Sequence, residues 1–457
     1  MGESKLKKYV AYILIILMMF CGIMSAYIIL AHEADYVHID AGDMNMAIIH
    51  ITSMHDPFVQ EREFWHFGAI SISNHPDGLS LEAVQIGIRG RGSTTWVIGR
   101  EKRPLRFRFM PHMPKDLLLN GTKHTDWILL SNHFDRSLMR NYAALYLGRL
   151  LDRLNHTPDC MFVHLYVNNV YMGVYQLVDE RDVGTGRTEI TLHIDPRISE
   201  YMIEWDERTR REPNQGVDWV LVGDTPFDIR FPSGRARTHA HANYVYDFLS
   251  RVSSSLRMGD FEAFSGLVCL DNFVDYYLAM EFTKDFDVGF SSFFMTIRGY
   301  GDTRRLMLGP LWDFDLAFGN YRIMAEEDWA IEGEYGYSPY GLTAALRNYW
   351  FGSAMAMPEF ARLAFDRWQE ISGNEVYATI RQVEAIGAYY SADFERNFTR
   401  HDILGRQVWQ EPDYIISVLT HAGQVELLVD WMERRRQWMD THLTESNWPL
   451  PFIGRGM

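Results

Sequence analysis

The apolar positions of this chain follow two periods, one typical of β-strands and a later one typical of helices. Eight stretches before residue 235 alternate apolar with polar residues or form short β-branched runs. These stretches are Met46–Thr52, Trp65–Ser73, Ala83–Ile88, Glu101–Phe109, Trp127–Leu130, Met161–Val167, Val170–Val178 and Pro226–Pro232. They predict a β-rich part over about residues 45–235.

Helical spacing of apolar residues dominates after residue 240. It predicts helices over Tyr244–Leu256, Phe273–Thr283 and Val425–His442. The last of these is amphipathic, with Leu428 and Trp431 on its apolar side. The whole pattern predicts an α+β fold, with a mainly helical part over about residues 240–445.

One hairpin pattern interrupts the helical part. Phe293–Arg298 is rich in β-forming residues, Gly299–Asp302 has turn chemistry, and Arg304–Leu308 returns as a second strand. The predicted ribbon has Asp287 before it and Asp313 after it, about equally far from the turn. Antiparallel pairing would therefore bring these two carboxylates to the same end of the ribbon.

Converging carboxylates predict either a bound cation or a shared proton. Asp315 follows Asp313 closely, so three acidic groups are expected at this end of the ribbon. Hard ions such as Mg²⁺ prefer carboxylate oxygens, whereas carboxylates without an ion raise one another's pKa. Glu204 and Asp206 form a second acidic pair, for which solvation at the surface is favoured over metal binding.

A glycine-rich segment, GIRGRGSTTW, lies at the end of a predicted strand. Its spacing of Gly87, Gly90 and Gly92 would let the backbone approach a phosphate, and Arg89 and Arg91 supply positive charge. A turn between strands with solvated arginines explains the segment equally well. Both interpretations stay open from this segment alone.

A basic row is predicted on the strand that follows. Leu105, Phe107 and Phe109 alternate with Arg106 and Arg108, so the arginines share one face. That face is either solvated or directed at an anionic triphosphate, which guanidinium groups bind well.

Composition excludes several classes of protein. With 47% hydrophobic residues among 457, the chain can bury a large core, which excludes overall disorder. A net charge of −16 argues against a nucleic-acid partner held by phosphate contacts. Cys160 and Cys269 give no disulfide framework, and two buried thiols are as compatible with the sequence as one bridge.

The N-terminal region predicts a membrane anchor. Residues 10–31 are almost entirely apolar and long enough to span a bilayer, and three lysines precede them. Acidic residues follow, so the positive-inside rule places residues 1–9 in the cytoplasm and the main domain outside, with a single membrane pass. The alternative is a cleaved signal peptide, which is disfavoured because no convincing small-residue cleavage site follows.

Five phrases in order resemble the CotH kinase family, the proteins related to spore coat protein H. They are IRGRGSTTW at 88–96, KRPLRFRF at 102–109, WILLSNHFDRSLMRN at 127–141, LYVNNVYMGVYQLVDE at 165–180 and GPLWDFDLAFGN at 309–320. The resemblance implies an atypical protein-kinase-like fold. It also implies transfer of the γ-phosphoryl group of ATP to Ser or Thr of proteins, often surface or spore-coat proteins.

Carried onto this sequence, the resemblance makes Asp287 the catalytic aspartate and Asp313 a metal ligand, with Asp315 as its neighbour. The expected cofactors are ATP and Mg²⁺ or another divalent cation, and the expected partner is a protein substrate. We assign cofactor binding to Arg89, Arg91, Lys102, Arg106, Arg108 and Asp179.

The sequence departs from the family at the first acid. Family members commonly read Asn-x-Asp-Gly there, whereas this chain reads Asp-Phe-Asp-Val from Asp285 to Val288. A carboxylate at Asp285 would repel nucleotide phosphates unless it faces away or binds metal. A catalytically inactive, membrane-anchored scaffold in coat or envelope assembly is therefore the alternative. A carboxylate-pair glycosidase is disfavoured, because these acids bracket a hairpin without a defined sugar cleft.

Overall fold

The computed structural model describes residues 44–53, 61–110, 118–119, 124–181, 183–184, 186–321 and 338–448. The predicted membrane segment, residues 10–31, lies outside these ranges. None of the helices within them combines the length and the apolar character that crossing a bilayer requires.

Twelve strands are present in the described residues. They are β1 Ala47–Ser53, β2 His66–Ser73, β3 Leu81–Gly90, β4 Leu105–Phe109, β5 Asp126–Leu130, β6 Cys160–Val167, β7 Val170–Asp179, β8 Tyr201–Trp205, β9 Trp219–Val222, β10 Thr225–Phe231, β11 Phe293–Arg298 and β12 Arg305–Leu308. The eight strand stretches that the sequence predicts before residue 235 all appear. Strands β8 and β9 were not predicted.

Seven strands close into a barrel in the order β1-β2-β3-β4-β5-β7-β6. Neighbours are antiparallel except β1 and β6, which run parallel. The interior is filled by alternate residues of the strands, for example Ile49, Ile86, Phe107 and Trp127, none of which is exposed. The barrel interior is therefore filled with side chains, and a ligand could bind only at its outer surface or its ends.

The other five strands form an antiparallel sheet in the order β12-β11-β8-β10-β9. The predicted ribbon is thus present, with Met295 paired to Leu308 and Arg298 to Arg305. It joins strands from residues 201–231, so this sheet combines segments from both parts of the chain.

Helices make up most of the described chain after residue 238. The helices are α1 Thr94–Ile98, α2 Arg140–Leu150, α3 His239–Met258, α4 Phe261–Leu267, α5 Leu270–Thr283, α6 Ala344–Arg347, α7 Tyr349–Met355, α8 Pro358–Ile371, α9 Tyr377–Tyr389, α10 Ser391–Arg400, α11 Asp413–Ile416 and α12 His421–His442. The prediction of an α+β fold with a β-rich N-terminal part and a helical C-terminal part is confirmed.

A buried polar contact fixes the barrel to helix α10. His164 of β6 lies 2.8 Å from a carboxylate oxygen of Asp393 and 2.8 Å from the hydroxyl of Tyr171. The side chains of His164 and Asp393 have no exposed surface. Asp393 also accepts a hydrogen bond from the backbone N–H of Asn45, so the start of the domain is held at the same point.

Cys160 and Cys269 are free thiols.

Candidate active site

A cavity of about 740 Å³ lies beside the end of the β11–β12 ribbon that is opposite its turn. Its walls come from the β3–β4 connection, from strands β8 and β10, and from the segments before β11 and after β12. Its volume is in the range typical of small-molecule sites.

The structure brings the three predicted acids together in this cavity. Asp287 lies in a 3₁₀ turn, Phe286–Gly289, just before β11, and Asp313 and Asp315 follow β12. All three line the cavity. The hydroxyl of Ser292 donates to a carboxylate oxygen of Asp313 over 3.2 Å. The two acidic ends of the ribbon therefore meet, as the spacing around the hairpin predicts.

Burial and mutual repulsion both raise the pKa values of two of these acids, Asp287 and Asp315. Burial and then the charge of Asp313 raise the pKa of Asp287 to about 6, although Arg208 opposes the shift. Burial, followed by Asp313 and Asp287, raises the pKa of Asp315 well above its ordinary value. The site holds more negative charge than its own cations neutralise, so a bound cation or a shared proton would stabilise it.

The additional carboxylate, Asp285, lies outside the cavity lining. It is 2% exposed, and it accepts a hydrogen bond of 3.4 Å from the backbone N–H of Asp287. Burial and then Asp287 raise its pKa well above the ordinary value. Its structural role is to cap the turn that carries Asp287.

Two arginines supply positive charge near the acids. The guanidinium groups of Arg91 and Arg181 both lie against the ring of Trp312, at 5.6 and 4.8 Å from its centroid. Both residues line the cavity. Burial, and then the neighbouring Arg181, lowers the pKa of Arg91, whereas Asp313 opposes the shift. Arg181 was not predicted, although it follows directly after the quoted phrase ending at residue 180.

The glycine-rich segment borders the same cavity. Gly92, with φ of +94°, is followed by Ser93, Thr94 and Thr95, and all four line the wall. Gly90 is required for packing, because a Cβ atom there would lie 1.9 Å from the ring of Trp96. The glycines therefore let the chain turn tightly where hydroxyl groups meet the cavity.

Three other predicted arginines form a separate cluster outside the cavity lining. Arg89, Arg106 and Arg108 surround the ring of Trp65 at 4.7, 5.7 and 4.0 Å. Arg106 and Arg108 bind Asp126 at 2.9 and 2.8 Å. The charges of Arg106 and Arg108 are thus already matched on the outer face of the barrel, whereas Arg89 donates to the backbone carbonyl of Arg62 over 3.1 Å.

The last two predicted cofactor-binding residues also do not line this cavity. Lys102 is 1% exposed, and its ammonium group donates to the carbonyl of Val174 over 2.6 Å. Burial lowers its pKa well below the ordinary value. Asp179 is paired with Arg187, and burial raises the pKa of this carboxyl to about 6.

The second acidic pair proves to be buried, so the prediction of surface solvation was wrong. Glu204 and Asp206 are 2% and 6% exposed and line the cavity. Glu204 binds Arg230, and Asp206 binds Arg208 at 2.8 Å. The unpredicted strand β8 places Glu204 within the second sheet, which explains its burial.

Two asparagines that the sequence did not single out position the acidic segment after β12. The side-chain oxygen of Asn141 accepts from the backbone N–H of Phe314 over 2.7 Å. The amide of Asn320 donates to the carbonyl of Asp315 over 2.6 Å. Asn141 is the last residue of the phrase WILLSNHFDRSLMRN and lies in helix α2. Its side chain is buried and hydrogen-bonded to the acidic segment, which explains an asparagine at this helical position.

A buried ion pair supports the other acidic segment. Glu281, at the end of α5, binds Arg435 of α12 at 2.8 Å, and neither side chain is exposed. Glu281 also accepts the backbone N–H of Thr343 over 2.6 Å, and Arg435 donates to the carbonyl of Gly341 over 2.6 Å. The pair therefore anchors residues 341–343 to the end of α5. Glu281 lies four residues before Asp285, so this anchor supports the segment that leads to Asp287.

The donor set suits a cation that also binds a phosphorylated ligand. Within the ranges that the structure covers, no three side chains of His, Cys, Asp and Glu are grouped to hold a metal ion. Mg²⁺ commonly uses one or two carboxylates and completes its shell with water and phosphate oxygens. The carboxylates of Asp313 and Asp315 fit that requirement.

Comparison with family models decides the family. A model described as CotH kinase protein matches residues 86–439, well over half of the chain. The chain belongs to the CotH kinase family. The match includes the barrel from β3 onward, the ribbon and all three cavity acids, so the predicted family is confirmed. A comparison with curated proteins finds no match.

The Glu281–Arg435 pair generates a stability prediction. Substitution Arg435→Met leaves the Glu281 carboxylate buried without its cation, so the free energy of unfolding should fall by about 3–5 kcal/mol. Urea denaturation measures this loss. The double variant Glu281→Gln/Arg435→Met removes the uncompensated charge and should recover at least about 1 kcal/mol. A double variant no more stable than Arg435→Met would contradict the account.

Proposed function

We propose that this chain is an atypical protein kinase that transfers the γ-phosphoryl group of ATP to Ser or Thr residues of surface or spore-coat-type proteins. The observation that carries the proposal is the convergence of Asp287, Asp313 and Asp315 in one cavity of a CotH-family chain. Protein kinases need this combination of one aspartate for the hydroxyl group and others for the metal. We also propose that the fold is an atypical protein-kinase-like fold.

Asp287 is assigned to the acceptor hydroxyl. Its carboxylate takes the proton as the hydroxyl oxygen forms its bond to the γ-phosphorus, and the bond from that phosphorus to the β–γ bridging oxygen breaks, which releases ADP. Burial and then Asp313 raise the pKa of Asp287, which makes this carboxylate a better proton acceptor than an exposed aspartate.

Asp313 and Asp315 are assigned to the metal. Their carboxylates would hold a divalent cation, which would neutralise charge on the phosphate oxygens. The carboxylate of Asp313 is oriented by the Ser292 hydroxyl, and the backbone on both sides of Phe314 is held by Asn141 and Asn320. Such support keeps the two oxygen donors in fixed positions.

Arg91 and Arg181 are assigned to the triphosphate. Their guanidinium groups face the cavity from the side of Trp312, and Arg91 is electrostatically coupled to Asp313 and Asp315. Arginine matches phosphate oxygens through paired hydrogen bonds. Arg181 lines the cavity although it is also paired with Glu180 at 3.0 Å. The cluster around Trp65 does not line the cavity, so we assign Arg89, Arg106 and Arg108 no contact with the nucleotide.

Transfer depends on Asp287 and Asp313 if this assignment holds. Incubated with labelled ATP, Mg²⁺ and a mixed protein substrate, Asp287→Asn and Asp313→Asn should each reduce labelling by at least about 100-fold. Asp287→Asn should fold at least as stably as the wild type, because it removes a buried carboxylate that its neighbours repel. Asp430→Asn, which alters an exposed surface pair, is the control. Equal labelling by wild type and Asp287→Asn would remove this residue from the mechanism.

The second candidate is a catalytically inactive, membrane-anchored scaffold that keeps the fold and takes part in coat or envelope assembly. The carboxylate at Asp285, where the family commonly has Asn, favours it. That objection to catalysis is weakened because Asp285 does not line the cavity and because burial raises its pKa well above the ordinary value, which disfavours its charged form.

Nucleotide binding separates the two candidates. A kinase site filled at about a hundred times Kd should raise the free energy of unfolding by about 2.7 kcal/mol with Mg²⁺ and ATP together. Thermal denaturation should show the gain in the wild type, and should lose it after EDTA or in Asp313→Asn/Asp315→Asn. A scaffold would show no difference between ATP with and without Mg²⁺.

The apolar residues 10–31 support a location for this activity. We propose one membrane pass with residues 1–9 in the cytoplasm and the kinase domain outside, because lysines precede the span and acids follow it. Protease added to intact cells should digest the domain while a tag on the N-terminus stays protected. Digestion of the tag, with a protected domain, would reverse the orientation.

A further inference from the structure

A second groove, of about 380 Å³, lies at the opposite end of the β11–β12 ribbon. Its walls come from the ribbon turn at Gly301–Arg305 and from helices α3 and α4. Gly266 and Gly301 leave open space where side chains would otherwise stand. The groove is therefore shallow at these points and accessible to an extended chain.

Four arginines line this groove against one carboxylate, that of Asp302. Within the described part of the chain, Arg251, Arg304 and Arg305 form no ion pair with a carboxylate, whereas Arg197 is paired with Asp195 at 2.7 Å. On a chain with a net charge of −16, unpaired guanidinium groups that converge in one groove are unexpected from composition alone. They indicate a ligand that carries concentrated negative charge.

The contacts that the structure describes for these three arginines involve no carboxylate. Arg304 is 5% exposed and donates to the backbone carbonyls of Gly299, Arg197 and Ser199, so it adds positive charge to the groove while Arg251 and Arg305 are the groups left for a ligand. Arg305 donates to the carbonyl oxygens of Asp302 and Arg304 over 2.7 and 2.8 Å. Arg251 lies 5.2 Å from the ring centroid of Phe248. Groups fixed in this way lose little freedom when an anion binds.

A phosphate monoester on a polypeptide fits this groove. A phosphoserine or phosphothreonine carries nearly two negative charges and three acceptor oxygens, and arginine clusters are a recurrent means of binding it. The partly exposed ring of Tyr244 offers apolar surface to neighbouring residues of the same segment.

The position of the groove connects it to the candidate active site. Phe293–Arg298 spans roughly 17 Å at about 3.4 Å per residue, with the acids beyond its first residue and the groove beside its last. The two sites are therefore at least about 17 Å apart, so a substrate segment that joins them needs at least about six extended residues.

We propose that this arginine groove binds a phosphorylated segment of the protein substrate. A residue modified earlier is held there while a second hydroxyl of the same chain occupies the cavity beside Asp287. The identity of this ligand as the enzyme's own product rests on the proposed kinase function, whereas the binding of a phosphopeptide does not. Phosphorylation of one site would then promote phosphorylation of others at least about 17 Å away along the same substrate.

Binding of synthetic peptides without ATP tests the groove. A fluorescent 15-residue peptide of otherwise neutral residues with one phosphoserine should bind the full-length protein at least 10-fold more tightly than its unphosphorylated form, measured by fluorescence anisotropy. The double variant Arg251→Gln/Arg305→Gln should abolish this preference. Arg381→Gln/Arg434→Gln, which removes the same charge from exposed positions elsewhere, should retain it.

Further measurements distinguish a phosphopeptide from inorganic phosphate or lipid as the ligand. They also separate the groove proposal from the kinase proposal. Inorganic phosphate should compete only at concentrations far above those of the phosphopeptide, and vesicles of anionic lipid should bind wild type and the double variant equally. Asp287→Asn should bind phosphopeptide as the wild type does, so a failed kinase assay leaves this result interpretable. Equal affinity for both peptides, or an undiminished preference in Arg251→Gln/Arg305→Gln, overturns the proposal.

Discussion

Antiparallel pairing of β11 with β12 is the constraint on which the site depends. Each paired residue fixes the distance between the two ends of the ribbon, so Asp287 and Asp313 must meet even though 25 residues separate them in the chain. Their charges then repel, and the surrounding structure must hold the backbone in place against that repulsion. Asp313 itself adopts a left-handed backbone conformation with φ of +73°, which few residues other than glycine take.

Buried polar contacts from distant parts of the chain hold this arrangement. Asn141 comes from α2 and Asn320 from the segment after the acids, and Glu281 with Arg435 ties α5 to α12. The side chain of Asn141, the amide N–H of Asn320 and the Glu281–Arg435 pair all find hydrogen-bonding partners in the interior, where an unpaired group would be costly. The acidic cluster therefore rests on a rigid support drawn from both the β-rich and the helical part, which is what fixed ligands for a metal and a phosphate require.

Local pattern predicted the elements but not the contacts between them. The strands before and after Asn168 and Asn169 were predictable from their β-forming residues, and the ribbon was predictable from its turn. Strand β8 was missed because EYMIEW carries charges whose partner, Arg230, lies on another strand. Likewise, alternation identified Arg106 and Arg108 as one face, but only the closed barrel shows Asp126 and Trp65 beside them. Barrel closure and long-range ion pairs have no signature in a single segment.

The central claim is that Asp313 and Asp315 share a cation beside Asp287. Anomalous diffraction from crystals grown with Mn²⁺ and a non-hydrolysable ATP analogue tests it most directly. The account predicts a metal peak at about 2.1 Å from a carboxylate oxygen of each of these two residues, with the terminal phosphate of the analogue facing Asp287. A peak coordinated elsewhere, or an analogue bound outside this cavity, would contradict it.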